Sequence, residues 1–385
     1  MNLSTIHKFF ESKEMNLIYV SVFVMTLAES MISIFIPIYL YQLGFQIGYI
    51  ILYYLLISLC FVIVALPVAK IVTRIGVKHS ILLSTFFLIC YYSLLNYAQI
   101  KIWVFILLPI LMALNMGFYN IGYHLNFLAH SEKKRRGRQL SVMHIFLVFA
   151  TALSPLIAGY IIGQFSFNVL FAVGVSFIVA GALILFMAKE EYARVKIDFK
   201  KMLSYLMNRK NHPNFLSFLG YAIESIIDRV VWPIYLILIL VSYEKFGAIV
   251  TTSMIASIVV YYLIGKYSDR VDKKKIIYFA TGLYFIAWIG RIFVNSAGRV
   301  LAVDTYKHLT GKILHLPWEV HSYNLAERDK YFMFIVSREI VFNLSRVLVM
   351  PLLFFVFYIN YHPFIFSFIL AAIFTLLYPC IRKNA

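Results

Sequence analysis

Twelve apolar runs follow one another along the chain, at 17–41, 47–69, 79–97, 103–128, 140–163, 168–188, 215–241, 246–265, 275–295, 300–325, 332–358 and 362–381. Each is long enough to cross the roughly 30 Å of bilayer hydrocarbon as a helix. Short polar segments separate them, and the tenth is much the weakest by hydropathy. The pattern predicts an all-α membrane protein with 12 transmembrane helices.

The longest polar connector, 189–213, follows the sixth run and divides the chain into an N-terminal half (1–188), a central loop (189–213) and a C-terminal half (214–385). Features recur across that divide. Glu29-Ser30 precedes Pro37-Ile38-Tyr39-Leu40 in the first run, and Glu224-Ser225 precedes Pro233-Ile234-Tyr235-Leu236 in the seventh. His124 with Leu128-Ala129 closes the fourth run, and His321 with Leu325-Ala326 closes the tenth. Such internal similarity predicts two pseudo-symmetric six-helix bundles.

Composition agrees: 62% hydrophobic and 14% charged residues with a mean hydropathy of +0.84 describe a chain whose solvent is lipid. The net charge of +18 does not indicate nucleic acid. Of 35 Lys and Arg, 26 fall in alternate loops and at the two ends, three (Lys101, Lys245, Arg299) in the intervening loops, and six within runs. By the positive-inside rule this places both termini in the cytoplasm of a multi-pass cell-membrane protein. The first run is too long for a signal-peptide core and no small-x-small cleavage site follows, so it is expected to be retained. Cys60, Cys90 and Cys380 lie in apolar runs without C-x-x-C spacing and read as small hydrophobes. No nucleotide-binding loop, H-E-x-x-H or G-x-S-x-G occurs. No cofactor and no metal are expected, and the chain is not expected to be an enzyme.

Ionisable groups inside a membrane are costly and mark pathways or paired sites. Glu29 is the one clearly intramembrane acid of the N-terminal half, with His124 and His144 nearer the ends of their runs. The C-terminal half has Glu224, Asp228, Asp304, Glu319 and Glu339 against Arg229, Arg291, Lys307, Lys312, Arg338 and Arg346. At 100° per residue, Tyr221, Glu224, Asp228, Trp232 and Tyr235 share a face of the seventh run, with Arg229 to its side. In the tenth, Asp304, Lys307, His308, Gly311, Lys312, His315, Trp318 and Glu319 share one side. Arg338, Glu339, Asn343 and Arg346 do so in the eleventh. Two other readings stand beside a substrate cavity: the tenth run as an amphipathic helix lying on the membrane surface, and the opposed charges as a self-neutralising structural network.

Two basic turns lie at corresponding places, Ala69-Lys70-Ile71-Val72-Thr73-Arg74-Ile75-Gly76-Val77-Lys78 and Gly265-Lys266-Tyr267-Ser268-Asp269-Arg270-Val271-Asp272-Lys273-Lys274-Lys275. They resemble the G-x-x-x-D-R-x-G-R-K signature of the major facilitator superfamily. Gly265, Asp269, Arg270 and Lys274 match in the second copy; only Arg74, Gly76 and Lys78 match in the first, where Thr73 replaces the acid. Pro155-x-x-x-Gly159-x-x-x-Gly163 is similar to the Gly/Pro-rich fifth helix of many members. The resemblance implies that the turns help gate the cytoplasmic side, with Asp269 keeping a role that Thr73 cannot fill. It also implies that the first, fourth, seventh and tenth helices line a central cavity.

The expected function is secondary active transport of a small solute by alternating access, with the proton as coupling ion, by a monomer in the lipid bilayer. The expected coupling and substrate residues are Glu29, Glu224, Asp228, Arg229, Trp232, Asp304, His308, Lys312, His315, Glu319 and Arg338. Alternatives are a non-transporting relative acting as an interaction partner, and an intramembrane lipid-handling enzyme using His308 and His315.

Overall fold

The computed structural model describes residues 13–97, 102–130, 136–187, 207–267, 273–325 and 331–382. Among them are thirteen α-helices and no strand. The first six spans are α1 (Lys13–Ser33) continued by α2 (Ile36–Gln42), α3 (Ile47–Ile75), α4 (Val77–Leu95), α5 (Ile102–His130), α6 (Arg136–Gln164) and α7 (Phe167–Phe186). The last six are α8 (His212–Leu240), α9 (Tyr243–Tyr267), α10 (Lys273–Gly290), α11 (Ala297–Leu325), α12 (Tyr331–Ile359) and α13 (Pro363–Thr375). Most of the connector 189–213, with Asp269, Arg270 and the side chains of His124 and His144, lies outside the described residues.

Among the described residues, nine of the spans are apolar and long enough to cross a membrane by length and composition alone. The 29-residue helices would extend about 43 Å at 1.5 Å per residue, which exceeds the hydrocarbon thickness. α8 and α11 match that length but carry charge in their interiors. Large apolar side chains such as Ile63, Leu183, Phe279 and Leu348 point outward. In a bilayer that surface meets acyl chains rather than water.

Pseudo-symmetry shows in which helices touch. In the first half α1 packs on α7 and α6, α5 on α3 and α4, and α4 on α7. Each pair recurs in the second half: α8 with α13 and α12, α11 with α9 and α10, and α10 with α13. The halves meet along two further pairs related in the same way, α6 with α9 and α3 with α12. α11 therefore sits inside the bundle, with Asp304, Lys307, Thr310 and Leu314 buried, and not on a membrane surface.

Prolines shape the spans unequally. Pro37 has no N–H to give the Ser33 carbonyl, and the first span breaks there, Phe35 N–H bonding Ile32 O at 3.0 Å instead. At the corresponding Pro233, α8 runs on unbroken. The first basic turn is tighter than its charges suggest, because Gly76 alone separates α3 from α4. Its φ of 88° and ψ of 171° belong to a region that is essentially glycine's own, while its N–H still caps Val72 O at 3.1 Å. Gly76→Ala is expected to cost about 1–3 kcal/mol of strain, read as a lowered Tm of the purified protein. Lys78 Nζ donates to Phe186 O at 2.9 Å, tying the turn to the end of α7, and Thr73 Oγ1 bonds only its own helix at Lys70 O.

At the end of the molecule opposite this turn the halves are sealed by close packing. A Cβ on Gly159 would meet the Tyr243 carbonyl oxygen, and one on Gly247 would meet the Pro155 carbonyl oxygen. Only residues without side chains let α6 and α9 approach so closely. Thr251 Oγ1 adds a bond to Ala152 O at 2.6 Å. Beside this contact the Phe35 ring packs on Phe246 with centroids 5.0 Å apart, and on Tyr243 at 6.3 Å.

Candidate functional site: a charged cavity at mid-height

A cavity of about 420 Å³ lies at mid-height among α1, α5, α8, α10, α11 and α12, within the roughly 300–1,000 Å³ usual for small-molecule sites. The repeat of three and four residues along α11 places Lys307, His308, Gly311, Lys312, His315, Trp318 and Glu319 in its wall. Glu29 comes from α1, Tyr221 and Arg229 from α8, and Arg338, Glu339, Phe342 and Arg346 from α12.

Behind this wall sits a compact ionic group. Arg291, wholly buried in the turn after α10, places Nη2 2.8 Å from Asp228 Oδ1 and 3.2 Å from Asp304 Oδ1. Its guanidinium is sandwiched by the Trp232 and Trp288 rings, at 3.9 and 4.3 Å from their centroids. Lys307 Nζ donates to Asp228 Oδ2 at 2.6 Å. Asp304 also accepts from Trp232 Nε1 and Ser253 Oγ, each at 3.1 Å, and lies 3.4 Å from His308 Nε2. Two carboxylates thus face two cations at short range, so the group neutralises itself.

Glu224 is held differently, one turn away on α8 and 1% exposed. It accepts hydrogen bonds from the Tyr284 hydroxyl and, at 3.0 Å, from the Tyr378 hydroxyl, and His315 Nε2 is 4.0 Å away. The His315 ring has Tyr284, Tyr378 and Tyr221 around it, at 5.3, 5.5 and 5.8 Å between centroids. A third group crosses between the halves: Arg338 Nη2 pairs with Glu339 Oε1 at 3.1 Å, and Asn120 Nδ2 on α5 donates to Glu339 Oε2 at 3.4 Å.

Of the residues singled out in the sequence, Glu29, Arg229, His308, Lys312, His315, Glu319 and Arg338 line the cavity. Glu224, Trp232 and Asp304 are buried behind it, and Asp228 stands with them in the ionic group. His308 and His315 do not converge, since each is directed to a different carboxylate. The basic turns lie at the far end of the helices. Arg74 is in the last turn of α3, Gly76 is its cap, Lys274 is exposed at the start of α10, and Gly265 lies near the end of α9.

Sequence reasoning missed the aromatic part of the site. Tyr119, Met112 and Met116 of α5 and Tyr284 of α10 also line the cavity, and Tyr378 follows α13. The one signal for Tyr284 was Gly311 on an otherwise charged face, where a Cβ would stand 3.0 Å from the Tyr284 ring.

The sequence profile of the Major Facilitator Superfamily matches residues 18–306. A search of curated proteins returned no match. Among solved structures, the chain resembles the E. coli fucose:proton symporter FucP, with a TM-score of 0.67 at 15% identity over 94% of this chain and 96% of that one. It also resembles a second structure described as a major facilitator superfamily transporter, FucP, in the outward conformation, with a TM-score of 0.68 at 14% identity and the same coverage. The helix order, the paired contacts of the two halves and the profile match agree, and the chain belongs to the major facilitator superfamily of membrane transporters.

Proposed function

We propose that the protein is a proton-coupled secondary transporter that moves a small solute by alternating access. The carrying observation is the mid-height cavity between the halves, lined by acids and bases and sealed at one end by the α6–α9 contact. The fold neighbour named as a fucose:proton symporter lends support to the proton as coupling ion. The halves 1–188 and 214–385 rock about the cavity, joined by the loop 189–213. The loop charges favour both termini on the cytoplasmic side of the cell membrane, with the turns at 69–78 and 265–275 closing that side when the opposite seal opens. A single copy contains the whole cavity and suffices for transport.

Glu29 is the proton carrier in this scheme. It lines the cavity from the half that has no other intramembrane acid, whereas Asp228 is committed to Arg291 and Lys307. The test is solute uptake by reconstituted vesicles under an imposed pH gradient, across sugars, organic anions, peptides and hydrophobic amines. Wild type is expected to accumulate one class only with the gradient. Glu29→Gln is expected to lose that accumulation while keeping solute exchange. Wild-type uptake that ignores the gradient for every class, or a Glu29→Gln protein that keeps full gradient dependence, would refute proton coupling at this site.

A further inference from the structure

The span interiors carry six acids and six Lys or Arg: Glu29, Glu224, Asp228, Asp304, Glu319 and Glu339 against Arg229, Arg291, Lys307, Lys312, Arg338 and Arg346. With the histidines neutral the membrane interior has no net charge. The sum closes only because Glu29 of the N-terminal half offsets the cation in excess in the C-terminal half. Short contacts then settle part of the set internally, Arg291 and Lys307 with Asp228 and Asp304, and Arg338 with Glu339.

Arg229 and Arg346 stand apart from those pairs. Arg346 is 7% exposed, and its hydrogen bonds run only to uncharged groups: Ala222 O at 3.4 Å, Asn343 Oδ1 at 3.3 Å and Ser225 Oγ at 3.3 Å. Arg229 is exposed on the cavity wall and acts on Arg346 as a like charge. Two guanidiniums thus share the wall of one small cavity, with Glu339 acting on Arg346 as an opposite charge. Arg229 acts on Glu29 as an opposite charge, and both line the cavity. Among the described side chains the other groups around Glu29 are neutral: the Tyr92 and Tyr119 hydroxyls lie in its field, α7 has no ionisable residue over Phe167–Phe186, and α6 has only Tyr160 between 147 and 164.

We propose that the cavity takes up one small monocarboxylate together with one proton, the anion seated between Arg229 and Arg346 and the proton on Glu29. This rests on the proton-coupled reading above and names its substrate class. An anion entering alone would leave an unbalanced negative charge in a medium of low dielectric, and a proton alone a positive one. Together they restore neutrality, so each favours the other's binding by the same factor. Proton transfer to Glu29 removes its attraction for Arg229, whose guanidinium fork matches a carboxylate. Met112, Met116 and Phe342 offer the remainder of the solute an apolar wall.

The experiment uses the full-length protein in detergent with benzoate, lactate and gluconate as probes, against benzamide, glucose, choline and the dianion succinate. A monocarboxylate is expected to raise the Tm, and calorimetry in buffers of different ionisation enthalpy is expected to show one proton taken up per anion bound. Arg229→Gln and Arg346→Gln should weaken binding roughly 30-fold or more. Glu29→Gln should still bind the anion but take up no proton. Because Arg346→Gln is itself a buried change, the wild-type proton count decides the matter without it. Anion binding with no proton uptake, or stabilisation by neutral or cationic probes and by none of the monocarboxylates, overturns the proposal. In the second case pH-gradient-driven flux of the neutral or cationic solute would leave the transporter reading intact, and loss of that flux as well would remove both.

Discussion

Arg291→Met is expected to destabilise the protein by about 3–5 kcal/mol, the range for removing one partner of a buried ion pair. Few single changes in this chain should cost more. The arginine is wholly buried, two carboxylates converge on one of its nitrogens, and two indole rings cover its faces. Methionine would fill much of the space but leave Asp228 with Lys307 alone and Asp304 with only neutral donors and His308. The measurement is Tm in detergent, combined with a double-mutant cycle. Arg291→Met with Asp304→Asn should recover part of the loss, because the orphaned charge is then gone. If both variants melt within a degree of wild type, the ionic group does not hold α8, α10 and α11 together.

The second large effect concerns the seal. Gly247→Val should force α6 and α9 apart, since the new side chain would occupy the position of the Pro155 carbonyl and would begin 3.0 Å from Leu156 Cα. Overpacking of this kind costs about 1–3 kcal/mol. If that penalty falls on the sealed state alone, the ratio of sealed to open molecules drops roughly 5- to 150-fold. A cysteine placed at Phe35, with Cys60, Cys90 and Cys380 changed to serine, reports the difference by its labelling rate with a membrane-impermeant thiol reagent. Faster labelling in the Gly247→Val background is expected, and an unchanged rate would show that the α6–α9 contact does not control access at that end.

The two experiments bear on different parts of the molecule. The Arg291 cluster fastens α8, α10 and α11 within one half. The Gly159–Gly247 contact joins the halves and is the one that the proposed transport cycle would open. A transporter that works by alternating access needs both kinds of contact, permanent within a half and reversible between halves.

Much of the fold was legible in the chain. Hydropathy found most of the spans, because in lipid the backbone must bond within its own helix, and the tenth, much the weakest, was supported by its match to the fourth. The repeats Glu29-Ser30/Glu224-Ser225 and His124/His321 announced the two halves, and the recurring helix contacts show the same relation in space. The charged side of the tenth span was readable from its periodicity, and that side does form a cavity wall.

What the sequence could not supply was the pairing of its charges. Periodicity put Glu224 and Asp228 on one face of α8, yet Asp228 belongs to Arg291 and Lys307, while Glu224 belongs to Tyr284 and Tyr378. Those partners come from α10 and the turn after it, α11 and the turn after α13, between 60 and 154 residues away in sequence. The helix number, the halves, the intramembrane charge balance and the polar faces follow from local order, because each depends on residue type and a fixed helical repeat. Which acid is locked, which faces the cavity and which end is sealed were decided only by tertiary packing, because a charge in low dielectric takes its state from whatever neighbours the fold brings within a few ångströms.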